Sequence, residues 1–144
     1  MDDRSTEESR EAIIGRLNDW QKVLLVEDRN FDFKNFADLY WQDESTLTFH
    51  TMAQPSSRLR GWHEIAAFYQ PIYSGLVTWQ VEPIETIEIA VSGDLAYTAL
   101  VFRARGRGRI AHTVVIQAHA TLVWQNRCGE WRILHEHISM PARL

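Results

Sequence analysis

A chain of 144 residues with 45% hydrophobic and 24% charged residues can bury one sizeable core, and it reads as a single globular domain over 1–144. Its formal net charge of −4 argues against nucleic acid as a partner, and its short apolar runs argue against a membrane span. Cys128 is the only cysteine and Met1-Asp2-Asp3-Arg4 is charged, unlike a secretory signal, so a reducing cytoplasm is the expected setting.

Ser5-Thr6-Glu7-Glu8 has the Ser-x-x-Glu spacing of a capping box, and Ile13, Leu17, Trp20 and Leu24 follow at helical spacing. A first helix is predicted over about 7–26. A second, shorter one follows Asp32, with Phe36, Leu39 and Tyr40 on one side, until Gln42-Asp43-Glu44-Ser45 breaks it. Residues 46–50 alternate, with Leu47 and Phe49 on one face, and read as a short strand. Residues 52–59 read as loop or a weak hairpin. Gly61 precedes a third helix in which Ile65, Phe68, Tyr69 and Ile72 face inward, limited by Pro71 and Gly75.

From Leu76 the period becomes two. Trp79, Val81, Ile87, Ile89 and Val91 share one side of a long strand that Pro83 interrupts, as at an edge or a bulge. Ser92-Gly93-Asp94 turns into a strand over 95–105, and the arginine-glycine run 105–109 makes the next turn. Strands over 110–124 and 130–139 follow, separated by a turn at 125–129. The last strand carries Trp131 and Ile133 on one face and Leu134 and Ile138 on the other, so both faces need cover. Six Trp, six Phe and four Tyr are enough large rings to fill a wide core or to line an apolar cavity.

The order of elements, Gly61 before the third helix, Gly93-Asp94-Leu95-Ala96-Tyr97, and the closing run from Gly129-Glu130-Trp131 through His135-Glu136-His137 to Ser139-Met140-Pro141 together resemble the nuclear transport factor 2-like superfamily. Within it the likeness is to SnoaL-like domains and to the association domain of calcium/calmodulin-dependent kinase II. The resemblance implies an α+β cone-shaped roll, in which three N-terminal helices pack on a strongly curved antiparallel sheet and enclose a pocket. It also implies a homodimer formed through the outer face of the sheet.

Superfamily enzymes such as ketosteroid isomerase, scytalone dehydratase and limonene epoxide hydrolase need an acid or base in that pocket. In the isomerase-like pattern the catalytic aspartate lies on the first strand, where this chain offers Phe49 or, one residue on, His50. The candidate acids or bases are His50, His119 and Glu136. His135 and His137 share a face and, with His119 on the neighbouring strand, offer a three-ligand set; a half-buried, hydrogen-bonded pair is the simpler reading, and no metal or cofactor is expected.

The association-domain pattern places arginines at positions occupied here by Leu122 and Ile138, leaving Arg103 as the candidate cation beside Glu136. The alternating Arg103, Arg105, Arg107 and Arg109 suit a polyanion or, in an acidic chain, a solvated hairpin tip. Tyr40, Trp41, Tyr69, Tyr73 and Tyr97 complete the expected ligand-binding set with Arg103 and Glu136. The expected ligand is a small, largely apolar molecule. The alternatives are a cofactor-independent isomerase, dehydratase or hydrolase, and an oligomerisation module.

Overall fold

The computed structural model describes residues 3–53, 57–109 and 113–140. Helix α1 (Asp3–Val23) is already under way at Asp3, so Ser5 lies inside it and is not its cap. It stops short of the predicted end because the sheet takes Val26, which exchanges backbone hydrogen bonds of 2.8 and 2.9 Å with Trp79. Ile13, Trp20 and Leu24 are buried, as their spacing requires. From the flank of α1, Arg16 donates to the carbonyls of Trp131 and Asp38, both at 2.9 Å, and ties the helix to the last strand.

Helix α2 (Phe33–Ala37) is capped by Asp32, whose carboxylate accepts the Asn35 N–H at 3.1 Å. Leu39 and Tyr40 are not part of it. Their segment turns off the end of α2, with Leu39 and Tyr40 N–H donating to Phe36 and Ala37 at 3.1 Å, and bridges to the last strand: Ile133 N–H donates to Leu39 at 2.7 Å and Trp41 N–H to Ile133 at 3.1 Å. Strands β1 (Leu47–His50) and β2 (Arg58–Arg60) form the short hairpin, and α3 (Trp62–Ser74) follows Gly61, whose φ of 84° suits a residue without Cβ.

Four long strands complete the chain: β3 (Leu76–Ser92), β4 (Leu95–Gly108), β5 (Thr113–Arg127) and β6 (Glu130–Ser139). The sheet order is β2-β1-β6-β5-β4-β3, and it curls around the helices without closing. β1 runs parallel to β6, whereas the other neighbouring strands are antiparallel, so the sheet is mixed rather than antiparallel throughout. No short turn joins β1 to β6, so nothing local dictates their relative direction. β4 continues through the predicted arginine turn to Gly108, and the predicted strand start at 110–112 lies outside the described residues. The β5–β6 turn shrinks to Cys128 and Gly129, with φ of 53° and 88°, the left-handed pair that a tight hairpin requires.

Bulges decide which side chains face inward. In β3, register shifts leave Ile84 and Ile87 unpaired; Ile87 is 59% exposed, and Thr86 instead pairs with the buried Leu100. In β6, Val123 pairs with His135 and Trp124 with Ile133, leaving Leu134 unpaired. That one residue reverses the alternation, so Trp131, Ile133, Glu136 and Ile138 are all buried on the inner face. Trp131 and Ile133 therefore do not lie opposite Ile138, and the outer face of β6 carries His135, His137 and Ser139.

Candidate functional site

Between the helices and the inner face of the sheet lies a cavity of about 280 Å³. Trp20, Phe36, Tyr40, Tyr69, Tyr73, Trp79 and Phe102 supply aromatic wall, with Leu24, Val81, Ile116 and Ile138 between them. Phe36 connects one side of this wall, its ring 5.2 Å from those of Tyr40 and Tyr69 and 5.5 Å from that of Tyr73. Tyr69 and Tyr73 stand one turn apart on α3, which brings them to the same side of the helix.

Glu136 is the polar centre, 1% exposed and part of the cavity lining. Tyr40 Oη donates to its Oε2 at 2.7 Å, Tyr69 Oη to its Oε1 at 2.7 Å, and Thr48 Oγ1 to Oε1 at 3.0 Å. Each donor is placed by a different element. The pairing of Leu39–Trp41 with β6 holds Tyr40, α3 carries Tyr69, and parallel register sets Thr48 directly beside Glu136. Burial raises the carboxyl pKa, and the hydroxyls of Tyr69, Tyr40 and Thr48 pull it back in part. Burial and the neighbouring carboxylate raise Tyr40 and Tyr69 in turn. Tyr73 is raised for the same two reasons, and its hydroxyl makes no hydrogen bond among the described residues.

His50 follows Thr48 by two on β1 and so shares its inward side. Its ring lies 5.0 Å from Phe68 and 5.8 Å from Tyr69. Nδ1 accepts the Met52 N–H at 3.1 Å, which leaves the proton of the neutral ring on Nε2. Burial lowers its pKa from 6.5 to about 4, so the ring is uncharged at neutral pH.

Tyr40, Tyr69, Tyr73, His50 and Glu136 are thus brought together, and four other candidates are not. Tyr97 (43% exposed), Arg103 and His119 project from the outer face, because Ala96, Leu100, Phe102 and Ala104 of β4 and Ala118 and Ala120 of β5 take the inner positions. Trp41 does not line the cavity; it donates Nε1–H to Gln125 O at 3.0 Å and stacks under Arg127 and Arg132, 4.5 and 5.2 Å from its ring. Glu136 and Arg103 are therefore on opposite faces.

His135 Nδ1 bonds to Leu47 O at 2.7 Å, His137 is exposed, and both rings meet Phe49 edge-on. Among the described residues no three His, Cys, Asp or Glu side chains gather as a metal site.

Sequence reasoning missed Thr48, which donates to Glu136, and the wall residues Trp20, Phe36, Trp79 and Phe102. The apolar Leu47 and Phe49 drew the assignment of the inner face, yet Thr46 and Thr48 are fully buried while Leu47 and Phe49 are half-buried. The available signal was the row Thr46, Thr48, His50, two β-branched hydroxyl residues in step with a titratable ring.

The architecture is shared with solved structures. A nuclear transport factor 2-like superfamily protein from Salmonella enterica serovar Typhimurium superposes with a TM-score of 0.81 at 21% identity, covering 96% of this chain and 94% of that one. A nuclear transport factor 2-like protein of unknown function from Pseudomonas putida gives 0.77 at 17%, covering 96% and 90%. A proposed dehydratase of the same family from Streptomyces avermitilis gives 0.80 at 15%, covering 96% and 99%. No curated protein matches the sequence. The family model of the SnoaL-like domain matches residues 26–143, a span that includes Thr46 and Thr48, both cavity helices α2 and α3, and the whole sheet, and the chain belongs to that family.

Proposed function

We propose that this SnoaL-like domain binds a small, largely apolar molecule in the aromatic cavity, with Glu136, Tyr40, Tyr69 and His50 at its polar end. The observation that carries this reading is Glu136. A carboxyl group on the wall of a mostly apolar cavity, surrounded by three hydroxyl groups from separate elements, is costly to build for packing alone. Benzyl alcohol, an aromatic ring with one hydroxyl, is a suitable probe. It should raise the melting temperature of the native chain and leave that of Ile116→Trp, in which the cavity is filled, unmoved. Equal shifts in both proteins would sink the proposal.

A second reading is catalytic: a cofactor-independent isomerase, dehydratase or hydrolase in which neutral His50 and Glu136 exchange protons with a bound substrate. It is favoured by burial at both groups, which lowers the pKa of His50 and raises that of Glu136, so that a neutral ring and a carboxyl with a strengthened hold on its proton line one cavity. Filling the cavity would abolish this activity as well.

The partner we propose is a second copy of the chain, met through the outer face of the sheet, where Phe49, Tyr97, Val101 and Val123 lie among His119, His135 and His137. A cytoplasmic setting belongs to the same proposal and rests on the single cysteine. Among the described residues no helix is long and apolar enough to cross a membrane.

A further inference from the structure

Taking the cavity to be a binding site, as above, we infer that the polar group of its ligand is a cation, a quaternary ammonium or a protonated amine carried on a small apolar body. Three features of the wall point to this chemistry.

The first is the direction of the hydrogen bonds. Tyr40 and Tyr69 each have one hydroxyl proton, and both protons are given to Glu136 at 2.7 Å. Thr48 gives its own at 3.0 Å. Three donors converging on two carboxylate oxygens stabilise the ionised form, and the phenol oxygens are left as acceptors. A ligand acceptor such as a carbonyl or carboxylate finds no donor from Tyr40, Tyr69 or Thr48, and two further donors in the lining, the Tyr73 hydroxyl and His50 Nε2–H, are not bonded to Glu136.

The second is the lack of a basic side chain against that carboxylate. Among the described residues Glu136 makes no ion pair, and the one arginine in the cavity lining, Arg107, is solvent-exposed at the end of β4. Buried carboxylates are ordinarily balanced by a positive group, because their desolvation is otherwise repaid only through hydrogen bonds. The other titratable groups facing it, Tyr40, Tyr69 and Tyr73 with His50 at the wall, are neutral at pH 7, and none supplies the charge. Burial raises the pKa of Glu136, and a cation beside it would lower it.

The third is the wall itself. Tyr40, Tyr69, Tyr73 and Phe36 form one connected set of rings, with centroids 5.2 to 6.5 Å apart, around the approach to Glu136. Rings around a site attract a cation to their negative faces, an interaction that strengthens when water is excluded. An aromatic enclosure with one unpaired carboxylate suits an organic cation better than a neutral molecule of the same shape.

Choline and its uncharged carbon isostere 3,3-dimethyl-1-butanol separate charge from shape. Titration calorimetry on the native chain should give choline at least about tenfold tighter binding, roughly 1.4 kcal/mol. In Glu136→Gln, which keeps the size and a hydrogen-bonding carbonyl, the two affinities should converge. Equal affinities in the native chain, or tighter binding of the alcohol, would overturn the cation and leave the cavity reading standing. Binding of neither would overturn both. The two native-chain titrations decide the matter even if the variant fails to fold.

Discussion

A carboxyl group carried from water to the inner face of this sheet loses hydration that three hydroxyl donors return only in part. The pKa of Glu136 is accordingly raised from 4.5 by burial, against the pull of Tyr69, Tyr40 and Thr48. A value raised in the folded state means that the fold binds the proton more tightly than the unfolded chain does. The contribution is therefore fully present below the ordinary carboxylate pKa and is lost as pH rises through the folded one. Glu136→Gln should gain stability relative to the native chain between pH 4.5 and pH 8 in urea denaturation. His50, lowered to about 4, titrates in both proteins and cancels from the difference. A native chain that gained on the variant with rising pH would mean that the hydroxyl donors outweigh desolvation.

The strands owe their side-chain directions to local irregularities. Gly106 on β4 sits where a Cβ would come within 2.1 Å of Thr78 O and 2.8 Å of the Trp79 ring, beside the register shift between Leu76 and Thr78. The cavity wall at Trp79 depends on that close approach. Gly106→Ala should cost stability toward the upper end of the about 1–3 kcal/mol typical of overpacking. Gly15→Ala is the control with the opposite sign: nothing lies within 4 Å of its added Cβ inside α1, and about 1 kcal/mol of helix propensity is gained. Denaturation midpoints of the two variants check both. Pro83 hinted at one such site in the sequence, and it does lie beside a bulge, whereas Gly106 fell in the predicted turn. The bulges at Ile87 and Leu134 have no residue signature, because each is fixed by how the neighbouring strand pairs.

On the whole-molecule scale, the helices cover one face of the curled sheet and leave the other as a surface of its own. Its central rows run Tyr97, Val123, His135, Leu47 and Ala99, Thr121, His137, Phe49 across β4, β5, β6 and β1. Light scattering at micromolar concentration should find a dimer, and Val123→Glu, which sets a charge in that surface, should weaken association at least about tenfold. A monomeric native chain would contradict the proposed partner. The sequence by itself determined the existence of three helices and the long strands, since apolar periods of 3.6 and two are local properties. It also determined the likeness of the closing strand to the SnoaL-like family. It reached Glu136, His50 and three tyrosines of the cavity lining, but it also put Arg103, His119, Tyr97 and Trp41 there. The tertiary structure alone decided that Leu39 to Trp41 leave the helix to pair with β6, and that β1 joins β6 in parallel. It alone left Leu134 unpaired as well, turning Glu136 inward on the same face as Trp131 and Ile133. The physical reason is parity: one unpaired residue inverts every later position on a strand, and only contacts distant in sequence fix where it falls.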